Sequence, residues 1–289
     1  MIESSKEKSL NKKSKQPKKV DSNASIVQYE EKIRPSKLDE IIGRELEKET
    51  LKIMINSARR RKEVIDHILF YGPPGLGKTT FAVAIANEVG ASIKITSGPA
   101  IERQGDLAAI LTGLKKNDVI FIDEIHRLPK VVEEILYPAM EDGMLDIVMG
   151  KGPTAKTIRL SLEPFTLIGA TTQIGKISSP MRDRFGLIQR LDFFSEGDLV
   201  EILKRACRLW NIEIDEDALS SLATISRGTA RVGLRLLRRC RDYAESKKES
   251  SITINTVKKT MNLLGIDRMG LEKIDREILF TLLNNFAGG

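Results

Sequence analysis

Between Gly72 and Thr80 the chain reads GPPGLGKTT: a glycine, four residues, then Gly-Lys-Thr. Glycines at 72, 75 and 77 let backbone N–H groups curl around phosphate oxygens, because glycine enters the required conformations without steric cost. The spacing lets Lys78 reach the β- and γ-phosphates of a nucleotide and gives Thr79 a hydroxyl to offer Mg²⁺. The stretch follows the apolar run HILFY and opens a helical pattern, so the phosphates would also meet the positive end of a helix dipole. A second group obeys the same logic. VIFIDEIH (119–126) ends four apolar residues in two adjacent acids. Asp123 is expected to hold the cation through water, and Glu124 to orient or activate the attacking water. No Asn-Lys-x-Asp or Thr-Lys-x-Asp segment for reading guanine occurs, which favours ATP.

Two further stretches bear on the same chemistry. GATT (169–172) closes an apolar run, and a threonine there can sense the γ-phosphate or position water. Thr172 is the first choice and Thr171 the alternative. PMRDRFG (180–186) places Arg182, Asp183 and Arg184 within three positions. An arginine is planar and always charged, which suits charge that develops only in a transition state. The competing reading is a loop ion pair, worth little. His126 suits a local hydrogen bond as well as catalysis.

These groups need a scaffold. HILFY (67–71), SIKIT (92–96), DVIFI (118–122), TLIGA (166–170) and LIQRL (187–191) are short apolar runs separated by helical patterns. That alternation predicts a parallel sheet covered on both faces, an α/β domain ending near residue 194. A helix over 44–62 precedes it, with Leu46, Leu51, Met54, Ile55 and Ala58 on one stripe. Residues 144–162 interrupt the alternation with two strands around a Gly-Lys-Gly-Pro turn. The first arm of this hairpin carries Leu145, Ile147, Val148 and Met149, so it either packs back on the domain or projects as a docking surface. From Ser195 to about Gly265 the apolar spacing is helical, with Asp215 and Thr253 as expected N-caps. A last helix is expected over Lys273 to Phe286.

The 289 residues carry a net charge of +7, but residues 1–25 hold seven lysines against three acids. Most of the excess is therefore an arm, too poor in apolar residues to fold alone, and a solvated tail or a nonspecific DNA-sampling arm is expected. It lacks the apolar centre of a signal peptide. Cys207 and Cys240 have no metal-ligand spacing and read as core residues in a reducing compartment. No apolar run approaches membrane-spanning length; a cytoplasmic protein with no membrane partner is expected.

The motifs together resemble the RuvB-type Holliday-junction branch-migration ATPases of the AAA+ class. The likeness runs from about Ile33 to the end, through IRPSKLDEIIG, GPPGLGKTT, SGPAIERQGDLAAILT, FIDEIHRL, VVEEILYPAMED, PFTLIGATT, PMRDRFG and RLLRRCRDYAE. Beyond the disordered Lys-rich arm (1–25), which the likeness does not cover, it implies a large AAA+ P-loop parallel-sheet domain (26–194), a small all-helical lid (195–265) and the first helix of a winged-helix DNA-binding head (266–289), which the family continues beyond this sequence. It implies that Ile33 and Arg34 line the adenine side and that Gly75, Lys78, Thr79 and Thr80 hold phosphates and Mg²⁺. Glu141, Asp142 and Gly143 would lie at the nucleotide-facing start of the hairpin. Arg184 would be an arginine finger serving a neighbouring subunit, Phe194 would pack near the nucleotide, and Arg231 would be a second sensor reporting to the lid. The hairpin would dock a RuvA-type partner, and a hexameric ring would pump duplex DNA at the junction. A clamp-loader-like ATPase and an ATP-assembled scaffold that does not move DNA are the alternatives. Four residues depart from the pattern: Gln173 and Ile174 replace Arg-Ala, Ala230 replaces Pro, and Phe194 replaces Tyr.

Overall fold

A computed structural model describes residues 33–149 and 156–286. Its contacts divide the chain into Met1–Arg34 and Pro35–Gly289, and the architecture below is that of the second unit. The expected arm, residues 1–25, lies outside the described residues.

The second unit opens with helix α1 (Glu45–Arg61), followed by β1 (Ile68–Tyr71), α2 (Lys78–Val89), β2 (Ile93–Ser97), α3 (Gln104–Thr112) and β3 (Val119–Asp123). Next come α4 (Lys130–Glu141), the hairpin β4 (Met144–Met149) and β5 (Lys156–Ser161), β6 (Thr166–Thr171), the single turn α5 (Ser179–Arg182) and β7 (Leu187–Arg190). Five strands form one parallel sheet in the order β2-β3-β6-β1-β7. The register sets Tyr71 beside Thr171 and Ser97 beside Asp123. The strand carrying the glycine-rich loop therefore sits between β6 and β7, and the acid-bearing strand is on the far side of β6.

The central strands β1, β3 and β6 are buried on both faces, as continuous apolar strands require, while the edge strands β2 and β7 are partly exposed, at Ile95 and Ile188. Strand alternation divides the core into two layers. Leu69, Ile120, Ile122 and Leu167 face a cluster built from α3 and α4 with Leu136 and Leu107. Ile68, Phe70, Phe121, Ile168 and Ala170 face the other cluster, with Leu51 and Ile55 of α1 and Phe81 and Ile85 of α2. In α1 the buried stripe is Lys48, Leu51, Ile55 and Ala58. Leu46, expected on that stripe, is 78% exposed. The reason is phase: a helix places 48, 51, 55 and 58 on one side, and position 46 falls outside it.

The hairpin is antiparallel, with Leu145 opposite Leu160 and Asp146 opposite Arg159. Its base packs back on the domain: Leu145 is fully buried in the α3–α4 layer and Leu160 packs against that layer. Arg159 donates to both carboxylate oxygens of Asp146, at 2.8 and 3.0 Å, which fixes the register across the pair. Higher up, Ile158 is exposed. The Gly-Lys-Gly-Pro tip lies outside the described residues, as do the side chains of Ile147, Val148 and Met149.

Four helices follow: α6 (Glu196–Trp210), α7 (Glu216–Ile225), α8 (Ala230–Lys247) and α9 (Ile254–Leu264). They bury one another through Leu203, Leu219, Leu222, Leu236, Leu237 and Val257. Ser195 caps α6 in a reciprocal box with Asp198, and Thr253 caps α9 by accepting from the Thr256 N–H at 3.3 Å. Asp215 stands at the N-cap position of α7 but its side chain makes no cap bond. Helix α10 (Lys273–Phe286) has no buried residue.

Candidate active site

The loop after β1 is built from left-handed turns: φ is 140° at Gly72, 82° at Gly75 and 91° at Gly77. At Gly72 a Cβ would lie 2.3 Å from the Leu191 carbonyl oxygen, so only glycine fits there. At Gly75 it would lie 2.9 Å from the Arg231 Cβ. Arg231 is the second residue of α8, so the lid sets an arginine directly against the phosphate loop. Lys78 is buried and donates from Nζ to the Gly72 and Pro73 carbonyls, both at 2.8 Å. Burial pulls its pKa below the ordinary lysine range and Arg231 pushes the same way, while the carboxylates of Asp123 and Glu124 oppose both. Lys78, Asp123, Glu124 and Arg231 thus share one electrostatic neighbourhood. Thr79 and Thr80 are half-buried in the first turn of α2.

Asp123 ends β3, and its Oδ1 accepts from the Glu124 N–H at 2.9 Å. Glu124 has φ 50°. Its Oε2 accepts from Arg127 at 3.4 Å. The two β6-terminal threonines have different surroundings. Thr171 is buried, bonded to His126 Nδ1 at 2.9 Å and to the Gln173 N–H at 2.9 Å. Thr172 is exposed, and its hydroxyl makes no hydrogen bond among the described residues. His126 therefore has a local partner.

The expected cation fits this donor set. Among the described residues no cluster of three or more His, Cys, Asp or Glu could hold a metal. A loop of phosphate-facing amides with one hydroxyl and one carboxylate suits Mg²⁺, which keeps several waters and takes most other oxygens from substrate phosphates.

Arg184 belongs to a second group. Its NH2 donates to Glu141 Oε2 at 2.9 Å and its NH1 to the Pro180 carbonyl at 2.6 Å. Its guanidinium carbon lies 4.4 Å from the Tyr137 ring centroid. Glu141 ends α4, Asp142 caps it and Gly143 turns with φ 63° into the hairpin. The stretch expected at the nucleotide-facing start of the hairpin thus meets Arg184 through Glu141. Ile33 and Arg34 fall in the unit that ends at Arg34.

Phe194 lies beneath Arg44, whose guanidinium carbon is 4.4 Å from the ring centroid. Its N–H donates to the Gly228 carbonyl at 2.9 Å. Arg44 has φ 64°, a side chain only 6% exposed, and a bond from NH2 to the Asp192 carbonyl. Sequence reasoning did not single out Arg44 or Tyr137. Tyr137 sits inside a motif already of interest, VVEEILYPAMED. For Arg44 the only signal was a Gly-Arg pair before a helix.

Comparison with known proteins decides the family. The model of the Holliday junction DNA helicase RuvB P-loop domain matches residues 33–191, and that of the RuvB AAA lid domain matches 194–267. The chain belongs to the RuvB family. It is 54% identical over 257 residues to the Holliday junction branch migration complex subunit RuvB of Pseudothermotoga lettingae, covering 89% of this chain and 75% of that protein. Among solved structures, Thermotoga maritima RuvB, described as a Holliday junction branch migration motor, matches with TM-score 0.79 and 47% identity over 89% of this chain and 81% of that one. A point mutant of the same protein matches with TM-score 0.81 and 48% identity, with the same coverage. RuvB membership makes the chain a nucleotide-binding P-loop ATPase and separates it from clamp-loader-like relatives. Its departures from the RuvB pattern spare the phosphate loop and the acid pair. The Gln173 N–H bonds to Thr171, Ala230 opens α8 beside Arg231, and Phe194 serves Arg44 with its ring face. Among the described residues no helix is long and apolar enough to cross a membrane.

Proposed function

We propose that this chain is the ATP-driven motor of Holliday-junction branch migration in recombination and repair. It works in the cytoplasm as a hexameric ring on duplex DNA, with a RuvA-type partner docked on the 144–162 hairpin. The observation that carries the mechanism is the division of charged groups. Lys78 feels the charges of Asp123, Glu124 and Arg231, and Arg231 lies against Gly75 of the phosphate loop, while Arg184 is engaged by Glu141, Tyr137 and Pro180. This division supports a site that takes its last cation from a neighbouring copy.

In this reading Gly72, Gly75 and Gly77 present amides to the phosphates of ATP. Lys78, Thr80 and Arg231 add donors, and Phe194 lies toward the base. Thr79 and Asp123 would hold Mg²⁺, which supplies Lewis-acid polarisation of the phosphates when bound. Glu124 accepts the proton of the attacking water, and Thr172 fixes that water. The water oxygen bonds to the γ-phosphorus as the bond to the β–γ bridging oxygen breaks, and ADP leaves. Arg184, with Glu141, Asp142 and Gly143 beside it, faces the γ-phosphate bound by the next subunit. Arg231 carries the change in nucleotide state to the lid. The division into arm (1–25), ATPase domain (26–194), lid (195–265) and the opening of a DNA-binding head (266–289) belongs to the same proposal.

The test is ATPase rate against protein concentration with four-way junction DNA. Activity per subunit should rise with concentration. Arg184→Ala should bind ATP normally while its turnover falls by about 10³ to 10⁵. Flat activity per subunit with an unimpaired Arg184→Ala chain would remove the shared-site reading.

A further inference from the structure

The Arg184 side chain is long and flexible, yet it is only 18% exposed and engaged on three sides. Beneath it lies the Tyr137 ring, 4.4 Å away at its centroid. The ring is itself pinned. Its hydroxyl meets Glu133 Oε1 at 3.0 Å and Ser178 Oγ at 3.1 Å, and Ser178 also bonds to Glu133. Ser178 is the N-cap of α5, accepting from the Met181 N–H at 3.3 Å. Residues 133, 137 and 141 recur every four positions, so α4 presents one face to the loop. Glu133 ties the start of the α5 turn, and Tyr137 and Glu141 take the arginine beyond its end. Burial raises the Tyr137 hydroxyl pKa above its ordinary range, which keeps it a neutral donor. The Arg184 Nε is buried without a hydrogen-bond partner, so the face of the aromatic ring is its compensating environment.

We propose that Tyr137 is a positioning residue for Arg184. Its ring is a rigid platform that fixes the guanidinium plane, so the arginine meets a neighbour's γ-phosphate without first freezing its own rotamers. This rests on the reading of Arg184 as acting on the neighbouring subunit. Glu141 offers a charge, but Tyr137 sets the orientation, because its ring is braced at the far end and its face is flat. No contact of Tyr137 with substrate is required.

The experiment uses the full chain with four-way junction DNA, measuring steady-state ATP turnover. Tyr137→Leu should lower kcat about tenfold with KM for ATP within about twofold, because orientation is lost while binding is not. Tyr137→Phe keeps the ring and should recover most of that rate. Tyr137→Met is made alongside, so the comparison survives a Leu variant that does not fold. The deciding measurement mixes Tyr137→Leu with Glu124→Gln subunits. The second kind cannot hydrolyse ATP but carries an intact platform and arginine, so its neighbour's site should regain turnover. Arg184→Ala mixed with Glu124→Gln is the control, and no recovery there sinks the in-trans reading itself. With that control positive, two results overturn the role of Tyr137: full activity of the Leu and Met variants, or a defect that mixing cannot repair.

Discussion

Glu124 holds its backbone in the left-handed region, φ 50° and ψ 41°, which costs a residue with a Cβ roughly 1–2 kcal/mol. Gly98 helps make that turn possible, because a Cβ there would lie 2.4 Å from the Glu124 carbonyl oxygen. The turn that carries the Glu124 carboxylate thus depends on a glycine distant in sequence. His67 is a second residue whose environment decides its state. Its Nδ1 accepts from the Leu167 N–H at 2.9 Å, and Nε2 is 3.3 Å from the Met140 carbonyl, so the ring is neutral with the proton on Nε2. Burial holds its pKa below the ordinary histidine range. His126 is shifted the same way, also mainly by burial. In the unfolded chain both rings take up protons below about pH 6.5, whereas the folded chain resists, so stability falls with pH in that range. The slope per histidine is at most about 1.4 kcal/mol per pH unit. Urea unfolding between about pH 7.5 and about pH 5 should therefore show a falling midpoint, and His67→Asn should flatten the fall. Lys78, Asp123 and Glu124 were legible because each lies in a contiguous motif. The Tyr137–Arg184 and Arg44–Phe194 pairs were not, because their partners are 47 and 150 positions apart and only the fold joins them.

At the scale of elements, the strands fall within one residue of the apolar runs that announced them, and the final helix spans the expected Lys273–Phe286. Short apolar runs bounded by turn residues mark strands well where both faces are buried, as in β1, β3 and β6. The errors are of another kind. Leu46 was misplaced because its apolar character outweighed its phase, which sets it on the opposite side of α1 from Leu51, Ile55 and Ala58. Asp215 occupies the right position without making the expected bond. The hairpin combines both sequence readings: its base is core, through Leu145, and its upper part leaves Ile158 exposed. Ile147→Asp with Val148→Asp should therefore spare folding and basal ATP turnover while lowering affinity for a RuvA-type partner by tenfold or more, about 1.4 kcal/mol. Titration of the partner against wild type and variant, with turnover measured in parallel, checks this. Unchanged affinity with turnover intact would remove the hairpin as the docking surface.

For the molecule as a whole, sheet order carries a consequence in time. The strand bearing the phosphate loop pairs with β6 and β7, whose partner residues lie about a hundred positions later. The first glycine of the loop also rests against Leu191. On the ribosome, residues 68–80 emerge long before either flanking strand exists. Long-range parallel pairing of this kind is slow and leaves sheet edges open while it waits. The nascent ATPase must therefore remain unable to grip nucleotide until the segment through residue 191 has cleared the exit tunnel. Stalled chains released just before and just after that point should differ sharply in retention on immobilised ATP. The glycine-rich motif, translated well before either strand that flanks it, would then be among the last to become competent, and premature exposure would present chaperones with an unpaired apolar strand rather than a working site.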